Sequence, residues 1–78
     1  MSHEALRETL RGIVAEVAEI DEVPDDVAFK DLGIDSMMAI EIIAEIERHY
    51  RIKVPEQELE QVRDLDSVVQ LIATKVEV

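Results

Sequence analysis

Ser36 is the residue best placed for chemistry in this 78-residue chain: it follows Asp31-Leu32-Gly33-Ile34-Asp35 and opens an apolar stretch that meets no glycine or proline before Pro55. A serine hydroxyl becomes a nucleophile when a base and an orienting group stand beside it. The candidate bases are His3 and His49. His3 lies at the chain end, and His49 follows Ser36 by thirteen positions on one predicted helix, about 20 Å at 1.5 Å per residue. That spacing excludes a self-contained hydrolytic triad, so an enzyme is not expected. The acidic run Asp21, Glu22, Asp25, Asp26 invites comparison with a calcium loop, but Asp26 stands where the sixth-position glycine belongs and Leu32 where the twelfth-position glutamate belongs. It reads as a solvated acidic loop and not as a specific metal site.

What remains for Ser36 is to be modified. Asp35 is poised to cap the helix, which leaves the serine hydroxyl at the first turn facing outward. A phosphoryl group there would meet the free amides and positive dipole end of the helix. The competing reading is that Asp35 and Ser36 form an ordinary cap with no cargo.

The elements that must hold this serine follow from apolar spacing. Leu6, Leu10, Ile13, Val14, Val17 and Ile20 predict a helix over 3–19, with Ser2 as N-cap and Glu4 near the positive dipole end. Residues 20–35 lose that period, and Pro24, Asp25-Asp26 and Gly33 punctuate a long first loop. Val23, Val27, Phe29, Leu32 and Ile34 read as pegs that dock it onto the helices.

A second helix is predicted from Ser36 to about Tyr50. Ala39, Ile42, Ile43, Ile46 and Tyr50 form its core stripe, with Met38 also packed inward. Met37, Ile40 and Ala44 fall outside it, among Glu41, Glu45, Glu47 and Arg48. That outer group is an apolar patch rimmed by acid, suited to a basic protein surface. Residues 51–55 read as an extended connector, with at most a two-residue bridge. A short third helix is predicted over 56–60, with Leu59 and Val62 inward, and Asp64 caps a closing helix carrying Leu65, Val68, Val69, Ile72 and Val76. The expected fold is all-α: a small four-helix bundle of three longer helices and one short one, with a long packed first loop, as a single domain over 1–78.

Composition narrows the partners. Nineteen acids against eight bases give a formal charge of −11, which disfavours nucleic acid and anionic membranes. No stretch approaches the roughly 18 apolar residues of a membrane span, and Met1-Ser2-His3-Glu4-Ala5 is not the basic start of a leader. With no cysteine, nothing calls for an oxidising compartment, and a cytoplasmic monomer is the expectation.

Asp31-Leu32-Gly33-Ile34-Asp35-Ser36-Met37 resembles the acyl carrier protein signature, Asp-Leu-Gly-x-Asp-Ser followed by leucine or methionine. The similarity extends to length, acidity, helical pattern, Phe29 ahead of the motif and Val54-Pro55 before the short helix. The resemblance implies that Ser36 receives 4′-phosphopantetheine from coenzyme A through a separate magnesium-dependent phosphopantetheinyl transferase, with Asp35 part of the recognised motif. The arm's thiol would then carry acyl groups as thioesters to acyl-transferring and chain-elongating or modifying enzymes. It further implies that Asp35, Met37, Ile40, Glu41, Ala44 and Glu47 meet basic patches on those partners. Fatty acid biosynthesis is the first expectation. Fatty-acid carriers commonly read Asp-Ser-Leu-Asp-Thr-Val-Glu-Leu where this chain has Asp-Ser-Met-Met-Ala-Ile-Glu-Ile, so a polyketide, modified-lipid or aminoacyl pathway is the alternative. An unmodified acidic adaptor that binds a basic protein stands as the alternative from another class.

Overall fold

The computed structural model describes residues 3–76, and the Ser2 cap expected above lies outside them. Three α-helices form the frame: α1 (His3–Ala18), α2 (Ser36–Tyr50) and α3 (Leu65–Val76). A 3₁₀ segment, Glu56–Gln61, supplies the expected short helix. Among the described residues there is no strand, and residues 51–55 make no bridge.

The predicted stripes meet in one aliphatic core. Leu6, Leu10 and Val14 of α1, Ile42, Ile43 and Ile46 of α2, and Leu65, Val68, Val69 and Ile72 of α3 are all buried. At about 25 cal/mol per Å² of apolar surface removed from water, this burial is the main force holding so small a chain together. Ile13, Val17, Ile20, Ala39 and Tyr50 are half-buried at its edge.

Both long helices end the same way. Glu19 (φ 57°) and Arg51 (φ 58°) adopt the left-handed conformation. The following amides then reach back, Ile20 N–H to the Ala15 carbonyl and Ile52 N–H to the Glu47 carbonyl, each at 3.1 Å. These six-to-one bonds satisfy carbonyls that a helix end leaves open. The start of α3 matches expectation: Asp64 Oδ1 accepts the Ser67 N–H at 2.9 Å, and Ser67 Oγ accepts the Asp64 N–H at 3.0 Å.

The first loop is less irregular than its sequence suggests. Phe29–Leu32 form a 3₁₀ turn, a correction to the expectation of a loop without helical structure. Short 3₁₀ turns leave no hydrophobic period to read. Of the proposed pegs, Val23, Phe29 and Ile34 are buried, whereas Val27 and Leu32 are half-buried.

Two arginines of α1 clasp this loop. Arg11 donates to the Val23 carbonyl and, at 2.7 Å, to Asp25 Oδ1. Arg7 pairs with Asp66 at the start of α3 and lies 3.6 Å from Asp25. The Asp66 N–H donates to the Asp25 carbonyl at 3.1 Å, and the Phe29 N–H to the Arg63 carbonyl at 2.7 Å. The loop is therefore stitched to α1 on one side and to the entry of α3 on the other. Hydrogen bonding to Asp66 raises the Arg7 pKa, and hydrogen bonding to Glu8 and then Asp25 raises that of Arg11.

Candidate functional site

The site is built where the loop hands over to α2. Gly33 takes φ 82° and ψ 14°, a left-handed turn that residues with a Cβ adopt at a cost. Its N–H closes on the Lys30 carbonyl at 3.2 Å, and the Ile34 N–H on the Phe29 carbonyl at 3.0 Å. Ile34 is driven into the core, and Asp35 follows in extended conformation (φ −93°).

Asp35 is the N-cap, as expected. Its Oδ1 accepts the Met38 N–H at 2.9 Å, while its carbonyl accepts the first intrahelical bond, from Ala39 N–H at 2.9 Å. The amides of Ser36 and Met37 precede that first bond, at the positive end of the helix dipole. Ser36 is exposed, and its hydroxyl makes no hydrogen bond within the described residues. His49 sits near the far end of α2, edge-on to Tyr50 with ring centroids 4.7 Å apart, so no base approaches the serine. Among the described residues no cluster of three or more His, Asp or Glu is arranged to hold a metal.

Beside Ser36 opens a groove of about 580 Å³ between α2, the 3₁₀ turn and the Glu56–Gln61 segment. Phe29, Ile34, Ala39, Ile40, Leu59 and Val62 give it apolar walls. Lys30 and Arg63 also line it, together with Asp35, Glu56 and Glu60. Sequence reasoning misses the two cations. Lys30 and Arg63 stand 33 positions apart and line one groove because the fold bonds Phe29 to Arg63.

The outer face of α2 is partly as projected. Met37 is 74% exposed and Ile40 55%, and Glu41 is also open to solvent. Ala44 and Glu47 lie outside the core stripe and are half-buried. Glu47 has a structural role, because its Oε2 accepts the Val54 N–H at 2.8 Å and ties the connector back onto the helix. Met38 is half-buried against the core, as predicted.

Residues 8–72 match the family model described as a phosphopantetheine attachment site. The chain belongs to the acyl carrier protein family. The carrier is 39% identical over 72 residues to polyketide-8 synthase acyl carrier protein 2 of Streptomyces avermitilis, a match covering 88% of this chain and 83% of that one. It is 44% identical over 69 residues to the anthracycline acyl carrier protein DpsG of Streptomyces peucetius, covering 82% and 77%. A match to the non-reducing polyketide synthase dbaI of Emericella nidulans, 39% identical over 69 residues, spans only 3% of that synthase. In structure the carrier is similar to the acyl carrier protein of Thermotoga maritima, with a TM-score of 0.83 over 99% of this chain and 93% of that one; at 22% identity this speaks for the fold alone.

Membership makes the protein a carrier and not itself a catalyst, with 4′-phosphopantetheine as its covalent cofactor. The group supplies a thiol on a long arm, chemistry that a chain without cysteine lacks. The residues present fit it: an exposed hydroxyl and two helix-start amides for a phosphodiester, and an adjoining groove for the arm. Among the described residues no helix is long and apolar enough to cross a membrane.

Proposed function

We propose that Ser36 is the attachment point and that the carrier delivers intermediates of polyketide assembly. The observation that carries the first part is the division of labour at the helix start. Asp35 takes over capping and leaves Ser36 Oγ exposed and unengaged at the head of the groove. In the modification, Ser36 Oγ attacks the phosphorus of coenzyme A that bears pantetheine. The new Oγ–P bond forms as the diphosphate P–O bond breaks, 3′,5′-ADP departs, and the serine proton passes to a base of the transferase. Asp35 serves this reaction by fixing the backbone on either side of the hydroxyl.

The polyketide assignment is supported by the two carriers above, both named for polyketide or anthracycline systems and both matched over most of their length. It displaces fatty acid biosynthesis as the first choice. Met37, Ile40 and Glu41 then form the face that meets basic patches on synthase enzymes, with Ala44 and Glu47 at its less accessible edge.

Intact-mass analysis after incubation with coenzyme A, magnesium and a broad-specificity phosphopantetheinyl transferase tests the attachment. Wild type gains one phosphopantetheine and Ser36→Ala none; an unmodified wild type or a modified Ser36→Ala chain overturns it. Mass spectrometry of the acyl group on the carrier from its native cells tests the pathway. A β-keto or polyketo thioester is expected, and a fully saturated chain would return the carrier to fatty acid synthesis.

A further inference from the structure

Three of the chain's eight lysines and arginines, Arg48, Arg51 and Lys53, fall within six consecutive positions. All three side chains are exposed, while Ile52 and Val54 between and after them turn inward against the core. The alternation aims Arg51 and Lys53 at solvent, and the bond from Val54 N–H to Glu47 holds the segment that bears them. Arg48 pairs with Glu45 three positions back on the same helix, an exposed contact that constrains it little. Within the described residues Arg51 and Lys53 have no ion pair or side-chain hydrogen bond.

Helix electrostatics explain only part of this pole. Arg48 and His49 lie in the last turn of α2, where a cation complements the dipole, but that benefit fades beyond the last turn and does not reach Lys53. In a chain of charge −11, cations interspersed among acids would relieve more repulsion than cations gathered together. The pole lies about 20 Å along α2 from Ser36, more than twice the physiological Debye length of about 8 Å. A partner therefore meets it as a separate electrostatic feature.

We propose that Arg48, Arg51 and Lys53 form a second docking surface, of opposite sign to the face beside Ser36, for an acidic patch on a partner protein. A second copy of this chain is a poor occupant, since the two would approach with −11 each. An enzyme with a basic patch near its active-site mouth and acidic residues about 20 Å away would engage both ends of α2 and so fix the carrier's rotation about Ser36. The surface does not depend on Ser36 carrying the arm, so it can fail while the carrier role stands.

The probe is oligo-glutamate, titrated into ¹⁵N-labelled full-length carrier and followed by amide chemical shifts. Shifts centred on residues 48–53 are expected at about 0.15 M ionic strength, where a Debye length of about 8 Å screens the pole from the rest of the −11 chain, and their loss at about 1 M, where it is about 3 Å. Arg51→Gln with Lys53→Gln should weaken binding at least about tenfold with the fold intact by circular dichroism. Arg51→Gly separates lost charge from lost stability: glycine in the left-handed position raises Tm while binding weakens. No shifts, shifts centred instead on Lys30 and Arg63, or binding that survives the double variant would overturn the proposal. Tighter binding of inorganic tripolyphosphate at the same residues would make this an anion site, and salt-sensitive self-association through them would make it a homotypic contact; either overturns the partner proposed.

Discussion

Arg11 Nη2 stands 2.7 Å from Asp25 Oδ1, joining the middle of α1 to the first loop, and the same guanidinium holds the Val23 carbonyl. Losing it would leave a carbonyl and a carboxylate without their donor. Arg11→Met should therefore lower stability by about 1–2 kcal/mol, toward the low end of charged hydrogen bonds because the pair is partly exposed. Because the folded state raises the Arg11 pKa, through Glu8 first, its contribution is fully present below the unfolded arginine value and is lost only as pH rises through the higher folded one. The stability gap between wild type and variant should be the same at about pH 7 and about pH 10 in urea titrations. A gap that closes within that range would show that the clasp acts otherwise.

Asp35 serves α2 through one acceptor oxygen, which asparagine also offers. Asp35→Ala should cost about 1 kcal/mol, and Asp35→Asn only a small part of that. Modification rates of the same pair separate capping from charge. If the transferase reads the carboxylate, Asn slows modification as much as Ala does, although the helix start is preserved.

On the outer face, Met37 and Ile40 bury little, so their replacement by serine should change stability by no more than about 0.5 kcal/mol. Transfer to a partner enzyme should nonetheless slow. Glu41→Lys should lower the association rate at low ionic strength and approach wild type at high salt. Stopped-flow measurements at two salt concentrations would show whether the loss lies in the encounter or in the later transfer step.

The whole chain carries nineteen acids on a small surface. Added salt screens their repulsion, so Tm should climb with sodium chloride and more steeply with magnesium. A flat thermal profile would mean that the clasp and the pairs Glu45–Arg48 and Glu58–Lys75 already neutralise the repulsion locally.

Much of this was legible in the residues. The stripe on α2, the Asp35 and Asp64 caps and the exposure of Ser36, Met37 and Ile40 all follow from spacing and capping chemistry, which act within a turn or two. A helical projection gives angles but not neighbours, so it does not show that Ala44 and Glu47 are half-buried or that Val54 finds its acceptor in Glu47. The Phe29–Leu32 turn is too short to show a period. Lys30 and Arg63 carry no local signal, since only tertiary packing makes them walls of one groove.

The bond from Phe29 N–H to the Arg63 carbonyl also ties the approach to Ser36 to backbone made after it. The segment leading into Ser36 is completed by backbone that the ribosome supplies 34 residues after Phe29. A nascent chain halted ahead of Arg63 holds the whole signature motif yet lacks the acceptor that fixes its approach. The shape of the signature's approach is thus held by chain that follows it, and the motif's own residues do not supply it alone.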